Sequence, residues 1–243
     1  MRPLVLTLSV AVLLTGCSGP APTADHGPAT PLPTVDVTTG APALSPAATS
    51  TASSTPSATL TAATRRKPAL DGDVDGDGKK DSIRSTATVL TVELSGSGRT
   101  VTAAIHAEAP RSAPVLGSTD VDRDGYAEVF VETAQGASTT FVTPYRFDGT
   151  TLRELQLDGG PVRLGIGGSI THGDGFRCTS AGLLEIRSAD SPDGKAFTVH
   201  ADLYRLGDTR LVLVRSSTTR AKQGDPAVEQ SYNVSCGSVG GGQ

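Results

Sequence analysis

Gly72-Asp73-Val74-Asp75-Gly76-Asp77-Gly78-Lys79-Lys80-Asp81-Ser82-Ile83 puts Asp73, Asp75, Asp77 and Asp81 at loop positions 1, 3, 5 and 9, with Gly78 at position 6. That glycine stands where an oxygen-ligand calcium loop turns sharply. Free carboxylates this close repel each other by about 1 kcal/mol per contact pair in water, and by more near a protein surface. A hard divalent cation removes the repulsion and uses the oxygens as ligands. The pattern returns in Asp120-Val121-Asp122-Arg123-Asp124-Gly125-Tyr126-Ala127-Glu128, with Asp120, Asp122, Asp124 and Glu128 at positions 1, 3, 5 and 9 and Gly125 at position 6. The two copies keep one phase, 47 residues from Asp73 to Asp120, and so form a repeat.

Upstream of the first loop the chain changes character twice. Arg2 gives a positive start, and Leu4 to Leu14 is an apolar run too short to span a bilayer, which reads as a signal peptide. The run ends in Leu14-Thr15-Gly16-Cys17. This resembles a bacterial lipobox, which implies that Cys17 carries acyl chains such as palmitate and becomes the mature N-terminus. Residues 1–17 are thus expected to be a lipoprotein signal, with an ordinary secretory signal as the alternative. Each buried CH₂ contributes about 0.8 kcal/mol, so several chains anchor where one would not. Residues 18–67 are rich in Ala, Pro, Thr and Ser. Such a segment buries too little surface to offset its ordering entropy, and it reads as a disordered stalk.

Residues 68–243 are expected to fold as one domain. The whole chain is slightly acidic, 25 acidic against 21 basic residues, with no Trp. No basic stripe with interleaved aromatics is present, which argues against nucleic acid as a partner. Apolar residues recur with a period near two. Phe197, Val199, Ala201 and Leu203 share one strand face, as do Val101, Ala103, Ile105 and Ala107, then Leu90, Val92 and Leu94, then Ala127, Val129 and Val131. Turns are marked at Asp148-Gly149, Asp158-Gly159, Asp193-Gly194 and Gly207-Asp208. No dozen-residue window has helical spacing with caps. The expectation is an all-β domain of hairpins in three blade-like units: to about Gly117, from Asp120 to about Leu157, and from about Val162 onward. In the third unit His172-Gly173-Asp174-Gly175 reads as a turn, with a residual metal contact as the alternative.

Cys178 and Cys236 are an even pair in an exported domain, which favours a disulfide; two free thiols are the alternative. No CxxC or zinc spacing occurs, and Gly-x-Ser-x-Gly, His-Glu-x-x-His and phosphate-cradling loops are absent. Ser169, His172 and Asp174 lie within six residues of each other, but a triad needs groups brought together in space. His106 and His200 fall on polar strand faces.

The two loops with the β-runs after them, Asp81-Ser82-Ile83 and Glu128-Val129-Phe130-Val131, resemble FG-GAP/VCBS-type repeats, as in integrin α-chain heads. In that family an Asp-x-Asp-x-Asp-Gly-x-x-Asp loop binds calcium at the start of a propeller blade. The resemblance implies side-chain ligands Asp73, Asp75, Asp77 and Asp81 with the Lys79 carbonyl, and Asp120, Asp122, Asp124 and Glu128 with the Tyr126 carbonyl. It covers about half of the folded region and lacks the family's Phe-Gly and Gly-Ala-Pro elements. Blades need roughly 40–50 residues each, so a small or incomplete propeller-like domain is implied. EF-hands share the 1, 3, 5 spacing but need an acidic residue at position 12, where this chain has Arg84 and Val131.

The sequence reading is therefore a lipid-anchored protein on the outer face of a bacterial cell membrane. Its β domain would hold calcium structurally and act as a non-catalytic binding or display module. Wall polymer, glycan or a protein ligand are the candidate partners. A metal-free envelope domain and an extracellular hydrolase are the alternatives.

Overall fold

The computed structural model describes residues 67–108 and 112–240. The signal peptide, Cys17 and the stalk as far as residue 66 lie outside these. The period-two segments form strands, and the fold is all-β with one short helix. Ser82–Ser85 (β1), Val89–Glu93 (β2) and Thr100–Ala104 (β3) make an antiparallel three-stranded sheet.

A larger sheet takes the rest. Its members are Val115–Thr119 (β4), Glu128–Gln135 (β5), Thr139–Phe147 (β6), Leu152–Glu154 (β7), Leu164–Gly168 (β10), His172–Cys178 (β11), Leu184–Asp190 (β12), Ala196–Leu206 (β13) and Leu211–Lys222 (β14). They run in the order β14-β13-β12-β11-β10-β6-β5-β4, with β7 on β6. Val234–Ser235 (β15) pairs with β11 in parallel. Gln156–Leu157 (β8) and Gly160–Pro161 (β9) form a small separate hairpin. Among the described residues no sheet closes into a barrel. The second and third expected units are not separate blades, because β6 pairs with β10 and joins them.

The strand between the two cores explains this layering. Val129, Phe130 and Val131 of β5 are all fully buried. Val129 and Val131 face a core with Val74, Leu90, Val92, Leu94, Tyr145 and Phe147, against which the small sheet packs. Phe130 faces the other way, among Val142, Leu164, Phe176 and Leu184. A strand covered on both faces reads as a continuous apolar run, and Val129-Phe130-Val131 is such a run. Phe130 and Phe176 stack with centroids 5.8 Å apart. Burying a Phe side chain contributes about 1.5–3 kcal/mol.

All four marked turns close hairpins. Asp158 and Gly159 both have positive φ, 51° and 85°, as a two-residue type I′ turn requires. Asp148 and Asp193 accept amides two and three residues ahead, capping their own turns. The His172–Gly175 stretch is corrected: it opens β11 rather than forming a turn. Its glycines are needed for close approach. A Cβ at Gly173 would lie 2.5 Å from the Tyr232 ring, and one at Gly175 would lie 2.5 Å from the Asn233 carbonyl. These contacts seat the C-terminal segment, including the helix Pro226–Glu229 (α1), over a small core of Ala189, Phe197, Val199 and Val228. No helix among the described residues is long and apolar enough to cross a membrane.

Cys178 ends β11 and Cys236 follows β15, so the parallel pairing brings them together as a disulfide with Cα atoms 4.7 Å apart. It closes 58 residues. In the chain-entropy description a loop of that size contributes about 4 kcal/mol.

Candidate metal centres

The first acidic loop enters β1 and the second joins β4 to β5. They are built on matching bonds. Asp73 accepts the amides of Asp77 (3.0 Å) and Gly78 (2.9 Å). Asp120 accepts those of Asp124 (3.1 Å) and Gly125 (3.0 Å). At position 5, Asp77 accepts Lys79 N–H and Asp124 accepts Tyr126 N–H. At position 9, Asp81 accepts Val74 N–H at 2.8 Å, and Glu128 accepts Val121 N–H at 2.9 Å. Backbone angles repeat as well. Gly78 and Gly125 have φ of 86° and 96°, and at position 4 Gly76 and Arg123 have 72° and 61°.

The loops also touch. Ala127 N–H donates to the Asp73 carbonyl at 2.9 Å. Gly76 lies so close to the second loop that a Cβ there would sit 2.5 Å from the Gly125 carbonyl. Ala69 N–H, just ahead of the first loop, donates to Asp120 Oδ2 at 2.8 Å.

The structure brings Asp73, Asp75 and Asp81 together, each offering an oxygen within 4.8 Å of the others, and does the same for Asp120, Asp122 and Asp124. Asp77 and Glu128 stand outside these two groups. Lys79 is exposed; Tyr126 is half-buried. In the first loop, burial raises the Asp73 carboxyl above its ordinary range. Burial and then the like charges of Asp81 and Asp77 raise Asp75. Three carboxylates converging this closely fit a hard divalent ion, which supplies the positive charge the oxygens lack.

The second loop contains a residue that no spacing in the sequence connects to it. The β5–β6 register pairs Val129 with Tyr145, and the next step sets Arg146 opposite Glu128. The Arg146 guanidinium reaches Asp122 at 2.8 Å, bonds Asp124, and lies 3.7 Å from Glu128 Oε1. Glu128 is fully buried. Burial first, then the Asp122 charge, pushes its carboxyl well above the usual range, with Arg146 opposing. Burial and Asp122 likewise push Asp124 up to about 6. Two buried oxygens here, Asp122 Oδ1 and Glu128 Oε1, have no hydrogen-bond partner. A groove of about 670 Å³, lined by Asp124, Tyr126, Arg146, Asp148 and Arg153, gives solvent access to this loop.

The Ser-His-Asp cluster is assembled differently from a triad. His172 is held by Asp190 on Nδ1 (2.7 Å) and by Asp174 on Nε2 (2.9 Å). Ser169 Oγ meets Thr171 Oγ1 at 3.3 Å. The imidazole has a carboxylate on each nitrogen, with Asp190 the larger influence, and its pKa is raised. This geometry makes a clamp between β11 and β12, and it leaves neither nitrogen free to take a proton from Ser169. His106 bonds Glu154 and His200 bonds Thr218.

Comparison with protein-family models, with curated proteins and with solved structures finds no match for this chain.

Proposed function

We propose that this is an exported, lipid-anchored envelope protein whose β domain is braced by calcium at its acidic turns and serves as a non-catalytic binding module. The observation that carries the reading is the convergence of Asp73, Asp75 and Asp81, whose partners among the described residues are backbone amides. The repetition of four amide-to-carboxylate bonds in the two turns supports the likeness to FG-GAP/VCBS repeats, whose loops hold calcium.

The binding role draws support from β14. It is the outer strand of the large sheet, twelve residues long, and exposed at every position from Val212 to Arg220. An uncovered edge of this length offers a row of unpaired backbone groups to a partner. Arg205, Arg210, Arg215, Arg220 and Lys222 are exposed on this hairpin and join no ion pair among the described residues. Their charge suits an anionic wall polymer rather than a cationic or neutral ligand.

The test is thermal. A saturating ligand stabilises the native state by RT ln(1 + [L]/Kd), about 2.7 kcal/mol at a hundredfold excess over Kd. Millimolar calcium should raise Tm and a chelator should lower it; an unchanged Tm removes the metal and favours a metal-free envelope domain. Cys17→Ser should release the protein from membranes, and continued retention would refute the anchor.

A further inference from the structure

We infer that the two acidic loops are unequal: the first is the metal site, and the second is a latent site held shut by Arg146. This rests on the metal reading above and extends it to which loop binds.

Two of the three carboxylates that converge in the second loop, Asp122 and Asp124, are bonded to one guanidinium. That side chain is only 12 % exposed, and it is placed by strand register rather than by chance of rotamer. A tethered cation competes with a dissolved one at high effective concentration and gives up no ionic hydration shell at the moment of competition. A divalent ion would have to displace Arg146 from both carboxylates.

The loop nevertheless keeps the features of an ion site. Four of its amide-to-carboxylate bonds repeat those of the first loop. The buried oxygens Asp122 Oδ1 and Glu128 Oε1 have no hydrogen-bond partner, and Glu128 is fully buried. Arg146 makes no hydrogen bond to either atom, although its Nη1 lies 3.7 Å from Glu128 Oε1, so the guanidinium does not fully satisfy the carboxylates it holds. Among the described residues the first loop has no counterpart to Arg146: Asp75, at the position of Asp122, accepts only the Asp77 amide, at 3.3 Å.

The test is calorimetric titration of the full chain with calcium chloride. Wild type should bind one ion. Asp75→Asn should abolish binding, Asp122→Asn should leave one ion, and Arg146→Gln should raise the count to two. Two ions in wild type, or one ion in folded Arg146→Gln with wild type also at one, overturns the inference while sparing the metal reading. No ion in wild type but one in Arg146→Gln removes the first-loop assignment and keeps the latent second site. No ion in either overturns both. Should Arg146→Gln not fold, manganese-soaked wild-type crystals decide. A single anomalous peak among Asp73, Asp75 and Asp81, with the guanidinium still on Asp122 and Asp124, supports the inference. A peak in the second loop overturns it.

Discussion

At position 3 of the first turn Asp75 meets a backbone amide; at position 3 of the second, Asp122 meets Arg146. Four amide-to-carboxylate bonds repeat in both, so the backbone geometry of an acidic turn does not decide what neutralises it. A side chain delivered from a neighbouring strand does. Local sequence builds the loop, and the register of β5 on β6 supplies its counter-charge.

The hardest way to break this contrast is to remove the arginine. Arg146→Ala strands a buried Glu128 beside three Asp residues. Breaking a buried ion pair costs about 3–5 kcal/mol. Urea denaturation in chelator should show a loss of that order, and added calcium should recover much of it. Recovery in Arg146→Ala but not in wild type with a disabled first loop, Asp75→Asn, would sharpen the difference further.

A second variant attacks the contact between the turns. Gly76→Ala forces a methyl onto the Gly125 carbonyl at a positive φ. Overpacking of this kind costs about 1–3 kcal/mol. It should also weaken calcium binding at the first loop, read as a raised Kd.

Proton linkage gives a smaller effect. The Asp124 carboxyl is held up to about 6 in the native state against 3.8 for the ordinary group. The folded chain therefore binds more protons than the unfolded one between those values, and this contribution to stability falls as pH rises from about 4 to 6. In chelator, Asp124→Asn should remove that share of the slope, on the order of 1 kcal/mol. An identical slope in the variant would contradict the assignment.

The smallest change makes the second turn more like the first. Arg123 occupies the left-handed region where the first loop has Gly76. Arg123→Gly should relieve about 0.5–1 kcal/mol of backbone strain, partly offset by the greater freedom of the unfolded glycine. A stability gain without change in ion count is the expected outcome.

Much of the fold was legible in the sequence. Alternation marked Leu90, Val92 and Leu94, and three Asp-Gly pairs with one Gly-Asp pair placed four hairpin turns. The acidic residues were legible too, since their spacing is local. Three things were not. Arg146 carries no signal of its own, because its partners lie 18 to 24 residues away and only strand pairing links them. The strands β10 and β11 hide behind Gly165, Gly167, Gly168, Gly173 and Gly175, residues disfavoured in strands and used here where other chain passes close. In the far half of β14, from Ser217 to Lys222, Ala221 is the one apolar residue and the one that packs on a core, so there is no apolar rhythm to read.

The bond from Ala69 N–H to Asp120 Oδ2 has a mechanical consequence. A pull on the chain ahead of Ala69 would arrive at the domain through that carboxylate, which also holds the Asp124 and Gly125 amides. Such tension would be shared between the two turns before it could peel β1 from its sheet.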